Sequence, residues 1–145
     1  MIAVDTNILV YAHRADSPFH AAALPTVSRL IQSQAQWAVP WPCFHEFVGV
    51  VTHPRVYAPP TPLATALDAV AEWLKAPNLV MLAEADDYWR ELCSVATVGR
   101  IAGAKIHDAR IVAICLQHGI SELWSADRDF SRFPTLKVTN PLLTQ

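Results

Sequence analysis

The sequence has no apolar run long enough to cross a membrane, and no basic segment precedes its first apolar one. A spanning helix needs about 20 apolar residues in a row, whereas the opening run Met1-Ile2-Ala3-Val4 breaks at Asp5. Neither a membrane span nor a secretory leader is therefore expected. Cysteine is scarce. Cys43, Cys93 and Cys115 are odd in number and far apart, with no C-x-x-C pair. That spacing fits no zinc or redox motif and leaves buried free thiols in a reducing cytoplasm as the expectation. An excess of positive charge is also lacking, and a net charge of −2 argues against a simple basic nucleic-acid binder. It does not exclude a nucleic-acid substrate, because cations held by acidic side chains reverse the local sign. No internal repeat or low-complexity segment is present.

What is present is core material. Hydrophobic residues make up 52% of the chain and charged residues 17%, which places it among globular proteins rather than disordered ones. At 145 residues it is expected to form one domain, 1–145. Short apolar runs alternate with stretches of helical periodicity. Strands are expected at 1–4, 37–39, 78–81 and 123–125, with a plausible edge strand at 136–138. Helices are expected at 7–13, 19–36, 42–52, 63–75, 86–97 and 105–118. Pro25 inside the second helix marks a kink or a late start. Pro42 suits the first turn of the third helix. Asp86 and Asp87 suit the first turn of the fifth, and Gly119 closes the sixth. The stretch 53–62 carries four of the eleven prolines and reads as a loop. Strands alternating with helices predict an α/β class chain, a central, mainly parallel sheet in an α/β/α sandwich.

Two of the apolar runs stop at aspartates: Ile2-Ala3-Val4 at Asp5, and Leu123-Trp124 shortly before Asp127. Ligands of open parallel sheets bind beyond the carboxyl ends of strands, so these two acids are expected in one pocket. Asp is also a favoured helix N-cap, and Asp5 alone would carry little weight. Glu46 shares a helical face with Cys43 and Val50, and Asp108 shares one with Ile111 and Cys115, on the core side of its helix. A carboxylate there needs a partner, because burying it unpaired is expensive. Several carboxylates cannot all stay ionised together without cations. Oxygen donors with no paired Cys or His select Mg²⁺, or Mn²⁺, over zinc. Such a site can activate water for displacement at phosphorus.

Together these motifs resemble PIN-domain nucleases, particularly the VapC-type toxins of bacterial toxin–antitoxin pairs. The matching motifs are Val4-Asp5-Thr6-Asn7, Phe44-His45-Glu46-Phe47, His107-Asp108-Ala109 and Ser125-x-Asp127-x-Asp129-Phe130, in order along essentially the whole chain. The resemblance implies a PIN-like fold, Mg²⁺-dependent RNA cleavage, a homodimer, and inhibition by a cognate VapB-like antitoxin. By position it makes Asp5, Glu46, Asp108 and Asp127 the catalytic, metal-binding acids, with Asn7 and Ser125 as polar supports. Asp129 either joins the metal site or caps the turn before Phe130, the latter being favoured. Ser125 stands where many relatives have threonine, and the proline-rich loop departs enough that substrate contacts do not transfer.

His45 and His107 adjoin two of the acids but project elsewhere on their helices, and a His base is unnecessary if metal activates water. Arg14, Arg100, Arg110 and Arg128 are candidates for RNA phosphate contacts, although solvated surface is the commoner fate of any one. Four rival readings remain: a non-toxin PIN-like nuclease, a metal-dependent aspartyl phosphatase, a phosphoacceptor domain, and a non-catalytic RNA-binding module. The phosphatase would want an aspartate at position 7. The phosphoacceptor leaves Asp108 and Asp127 unexplained. The binding module has no need of four acids that repel phosphate.

Overall fold

A computed structural model of the protein describes residues 1–143. Among the described residues five strands form one sheet: β1 (Ile2–Val4), β2 (Trp37–Pro40), β3 (Leu79–Leu82), β4 (Glu122–Trp124) and β5 (Val138–Thr139). Their order is β3-β2-β1-β4-β5, and every neighbouring pair is parallel. The helices are α1 (Thr6–His13), α2 (His20–Gln32), α3 (Trp41–Val51), α4 (Leu63–Leu74), α5 (Tyr88–Gly99) and α6 (Ile106–Gln117). α1 packs on α2 and α3, α3 on α4, and α5 on α6, giving helical layers around a parallel sheet. The central strands read as continuous apolar runs because both of their faces are covered. Ala3, Val4, Trp37, Ala38, Val39 and Leu123 are all buried. Among the described residues no helix is long and apolar enough to cross a membrane.

The strand order fixes where a ligand site can lie. The chain leaves β1 to build β2 and β3 on one side, then returns to place β4 and β5 on the other. The switch falls between β1 and β4, and the crevice of an open α/β sheet opens beyond the carboxyl ends of the strands at such a point. Val4 pairs with Trp124 across it, so Asp5 and Ser125 are the next residues on each side.

The helix ends differ from expectation at several places. α2 is continuous through Pro25 and stops at Gln32. Asp86 and Asp87 precede α5 instead of filling its first turn. Asp87 is the N-cap in a left-handed conformation, and Glu91 is the acid in that turn. Gly103–Lys105 forms a short 3-10 turn before α6 proper. α6 closes as expected: Gly119 has φ +65° and donates to Leu116, while Ile120 donates back to Cys115 at 3.0 Å. That double reversal needs a residue without a Cβ penalty. β4 begins and ends one residue earlier than the sequence suggests, and the edge strand is Val138–Thr139, with Leu136 buried in the core.

Candidate active site

Asp5 occupies the N-cap position of α1, yet its carboxylate makes no capping bond there. It is buried and turned to two other elements instead. The Ser125 hydroxyl donates to Asp5 Oδ2 at 2.7 Å, and the Cys43 thiol donates to Oδ1 at 3.6 Å. Ser125 Oγ in turn accepts from Asp127 N at 3.0 Å and from Asn7 Nδ2 at 3.4 Å. Asn7 Oδ1 accepts from Ala126 N at 3.1 Å. These bonds fasten the start of α1 to the segment leaving β4, so Asn7 and Ser125 fix the relative position of Asp5 and Asp127. The backbone continues the link, with Asp5 N donating to Trp124 O at 2.9 Å.

Glu46 projects from the middle of α3. It is exposed by area, but Thr6 Oγ1 donates to its Oε2 at 3.1 Å. Asp108, in the first turn of α6, is half-buried at the lip of the site and not in the core, its side chain 20% exposed. The apolar face that follows it is buried, so the helix turns Asp108 outward only at its first turn. Asp127 stands three residues beyond β4. Glu46, Asp108 and Asp127 border the same two cavities, of about 610 and 220 Å³, and Asp5 borders the smaller one. Four acids from four elements therefore meet where the two cavities join.

Charge is held at a cost here. Burial raises Asp5 from 3.8 to about 6, against the pull of the Ser125 hydroxyl and the Thr6 backbone, and the charges of Glu46 and Asp108 raise it further. Asp108 is raised mainly by burial and then by Asp127, with Lys105 opposing. Among the described residues, no three His, Cys, Asp or Glu side chains stand close enough together to clasp an ion as they are. In kind, though, the donors fit a hard divalent cation: carboxylate oxygens at the junction, two of them kept above their ordinary range by burial and mutual repulsion.

Asp129 lies outside both cavities. It is exposed and pairs with Lys105, which holds its carboxyl below the usual range. The capping residue of the 3-10 turn Arg128–Arg132 is Asp127, whose Oδ1 accepts from Asp129 N at 2.9 Å. The expected cap role of Asp129 is thus corrected: the acid nearer the strand closes the turn, because its side chain reaches forward to the Asp129 N–H two residues on, while the Asp129 carboxylate is turned to Lys105. His45 and His107 line the larger cavity, as does Arg110, which is paired with Glu84 at 2.6 Å. Arg128 lines a neighbouring cavity that also reaches Asp127. Arg100 ends α5 in a left-handed conformation. Arg14 is bound to Asp16 and the proline-rich loop.

Sequence reasoning passed over Thr6, Cys43 and Lys105 as parts of the site. Thr6 follows Asp5 directly, and Cys43 sits one turn before Glu46 on the same helical face, so a signal was there. Lys105 is placed three residues before Asp108 and lies 3.8 Å from it as well as pairing with Asp129.

A family model described as the PIN domain matches residues 2–136. Ribonuclease VapC48 of Mycobacterium tuberculosis is 31% identical over 137 residues, covering 94% of each chain. VapC ribonuclease Mb2897 of Mycobacterium bovis is 36% identical over 142 residues, covering 98% of this chain and 96% of that one. The chain belongs to the PIN-domain family, among the VapC ribonucleases. The fold agrees. VapBC2 from Rickettsia felis, solved on a DNA fragment from its promoter, superposes with a TM-score of 0.70 at 17% identity, covering 97% of this chain and 98% of that one. Mycobacterium tuberculosis VapC20, described as a toxin cleaving the sarcin-ricin loop, superposes at 0.68 and 17% identity, over 90% and 93% of the two chains. The five-stranded parallel sheet with its flanking helices is the fold these PIN-domain proteins share.

Proposed function

We propose that this PIN-domain protein, one domain over 1–145, is a divalent-metal-dependent endoribonuclease and the toxin of a VapBC-type pair. The observation that carries the proposal is the meeting of Asp5, Glu46, Asp108 and Asp127 where two cavities join at the switch point of the sheet. These four would hold Mg²⁺, or Mn²⁺ in its place. The cation would supply activation of water and neutralisation of the charge that builds on the phosphate. The chain's own residues do the rest. Ser125 and Asn7 fix Asp5 against Asp127. Thr6 steadies Glu46. Arg110 and Arg128, in cavities that reach Asp127, are placed to meet phosphates entering from either side. The acids alone repel RNA, so a non-catalytic RNA-binding role is the weaker reading.

Purified protein should cut single-stranded and structured RNA with Mg²⁺ or Mn²⁺, stop in EDTA, and recover when excess Mg²⁺ is returned. Undiminished cutting in chelator would sink the acidic-site mechanism.

The partners follow from the same reading: RNA as substrate, and a VapB-like antitoxin, as the names of the VapBC structures suggest. A second copy of the chain is the third. α3 and α4 leave an apolar groove of about 370 Å³ between Trp41, Phe44, Val48, Leu67 and Leu74. Leu67 and Leu74 are exposed at 52% and 41%, and an uncovered apolar patch marks an interface. Light scattering at micromolar protein should give the mass of a dimer, and a monomer mass would count against this.

A further inference from the structure

The smaller of the two acid-lined cavities has a second end that the acids do not explain. Its lining runs on to Tyr11, six residues beyond Asp5 along α1, to Val50, four residues beyond Glu46 along α3, and to Val56 and Tyr57, and none of its described lining residues is Lys, Arg or His. Val56 and Tyr57 come from the proline-rich loop 53–62, for which the sequence offers no transferable role. The loop is braced. Arg14 lies with its guanidinium carbon 4.4 Å from the centroid of the Tyr57 ring. Arg14 is itself held by Asp16 at 2.7 and 2.9 Å, by the Pro59 carbonyl at 3.0 Å and by Thr61 at 3.2 Å. Thr61 N donates to Val51 O at 2.8 Å, which ties the far end of the loop to α3. One side of the Tyr57 ring is thus backed by a fixed cation, while the residue also forms a wall of the cavity. Burial together with Tyr11 pushes its phenol up, in keeping with a ring set among apolar neighbours.

We propose that this end of the cavity is a subsite for one unpaired RNA base next to the scissile phosphate, stacked on Tyr57. The inference rests on the ribonuclease reading. A ligand spanning the cavity must be anionic where the acids and their cation lie, and flat, apolar and uncharged where Tyr57, Tyr11 and Val56 lie. A nucleotide has that polarity, and proteins that read single-stranded RNA stack its bases on aromatic rings. The braced loop supplies the ring in place before RNA arrives, so little ordering has to accompany binding. Tyr57 is then a residue of base selection, and Arg14 a positioning residue behind it.

The test begins by mapping cuts made by the wild type, with Mg²⁺, in a randomised pool of single-stranded RNA. Short RNAs carrying the preferred site are then prepared with each nucleotide flanking the cut left abasic in turn. At one flanking position, removing the base should lower wild-type kcat/KM by about 5- to 150-fold, the range that stacking on an aromatic ring spans, with the loss mainly in KM. Tyr57→Phe should keep that penalty. In Tyr57→Ala the penalty should shrink to near one. Tyr57→Leu, which keeps bulk without a π face, serves if the alanine variant fails to fold by circular dichroism. An equal abasic penalty in wild type and Tyr57→Ala or Tyr57→Leu would overturn the subsite and leave the pocket to an apolar segment of a protein partner. So would a wild type indifferent to every flanking base. If the wild type cuts no RNA in the pool, the ribonuclease reading itself fails and the subsite with it.

Discussion

Asp127→Asn is expected to lose RNA cleavage by about 1,000-fold or more, and Asp129→Asn by no more than about 10- to 100-fold. The substitution is clean at position 127. Asparagine keeps the oxygen that accepts from Asp129 N, so the 3-10 turn Arg128–Arg132 stays capped while the charge disappears. What is lost is a carboxylate at the point where the cavities meet, and groups aimed at the reacting phosphate are worth far more there than in water. Asp129 borders neither acid-lined cavity and pairs with Lys105 on the surface. Its loss frees Lys105 to act on Asp108, 3.8 Å away, an indirect effect that extra Mg²⁺ should partly restore. Single-turnover rates on one RNA, with circular dichroism to show both variants folded, decide the ranking. A reversed ranking would move the site two residues along the chain and detach it from the Asp5–Ser125 linkage.

The second large effect is on stability, in metal-free protein. Burial in the folded protein raises Asp5 from its ordinary 3.8 to about 6. Because the folded value is the higher one, the folded protein binds more protons between the two, and stability falls as pH rises through that window. The full difference is about 3 kcal/mol, present below about pH 4 and gone above about pH 6. Asp108, also raised, pushes the same way, whereas Glu84, Glu122 and Asp16, held below their ordinary range, push the opposite way. The comparison is therefore between wild type and Asp5→Asn, each unfolded with urea across pH 4 to 7 in chelator. The wild type should lose stability relative to the variant as pH rises, by an amount approaching that figure. Parallel curves would mean that Asp5 is not the strained acid of this site.

Much of this was legible in the sequence because the strongest signals were local. Ile2-Ala3-Val4 before Asp5 and Leu123-Trp124 before Ser125 are strand segments of the parallel sheet, with Ala3, Val4 and Leu123 buried, and their aspartates follow its carboxyl ends. Three helices with clear periodicity, α3, α4 and α6, ended within two residues of expectation. The misses came from forces that sequence spacing does not carry. Asp87 precedes α5 because its backbone adopts a left-handed turn, and first-turn acidity cannot reveal that. Asp108 was placed on the core side by its phase with Ile111 and Cys115. Yet the first turn of a helix lies at the edge of the layer it packs on, so the same stripe that is buried further along opens onto a cavity there. Asp127 and not Asp129 caps the turn because a side chain reaches forward to the amide two residues on, which favours the acid that comes first. The Lys105 pair and the Arg14 brace join residues whose partners are settled only when loops fold back, and no periodicity announces them.

The claim that the four acids hold a divalent cation is tested most directly by calorimetric titration of Mn²⁺ into metal-free protein at neutral pH, without RNA. The wild type should bind with a saturable heat, while Asp108→Asn and Asp127→Asn, folded as judged by circular dichroism, should bind at least about tenfold more weakly. A wild type that takes up no Mn²⁺, or variants that titrate as the wild type does, would contradict it.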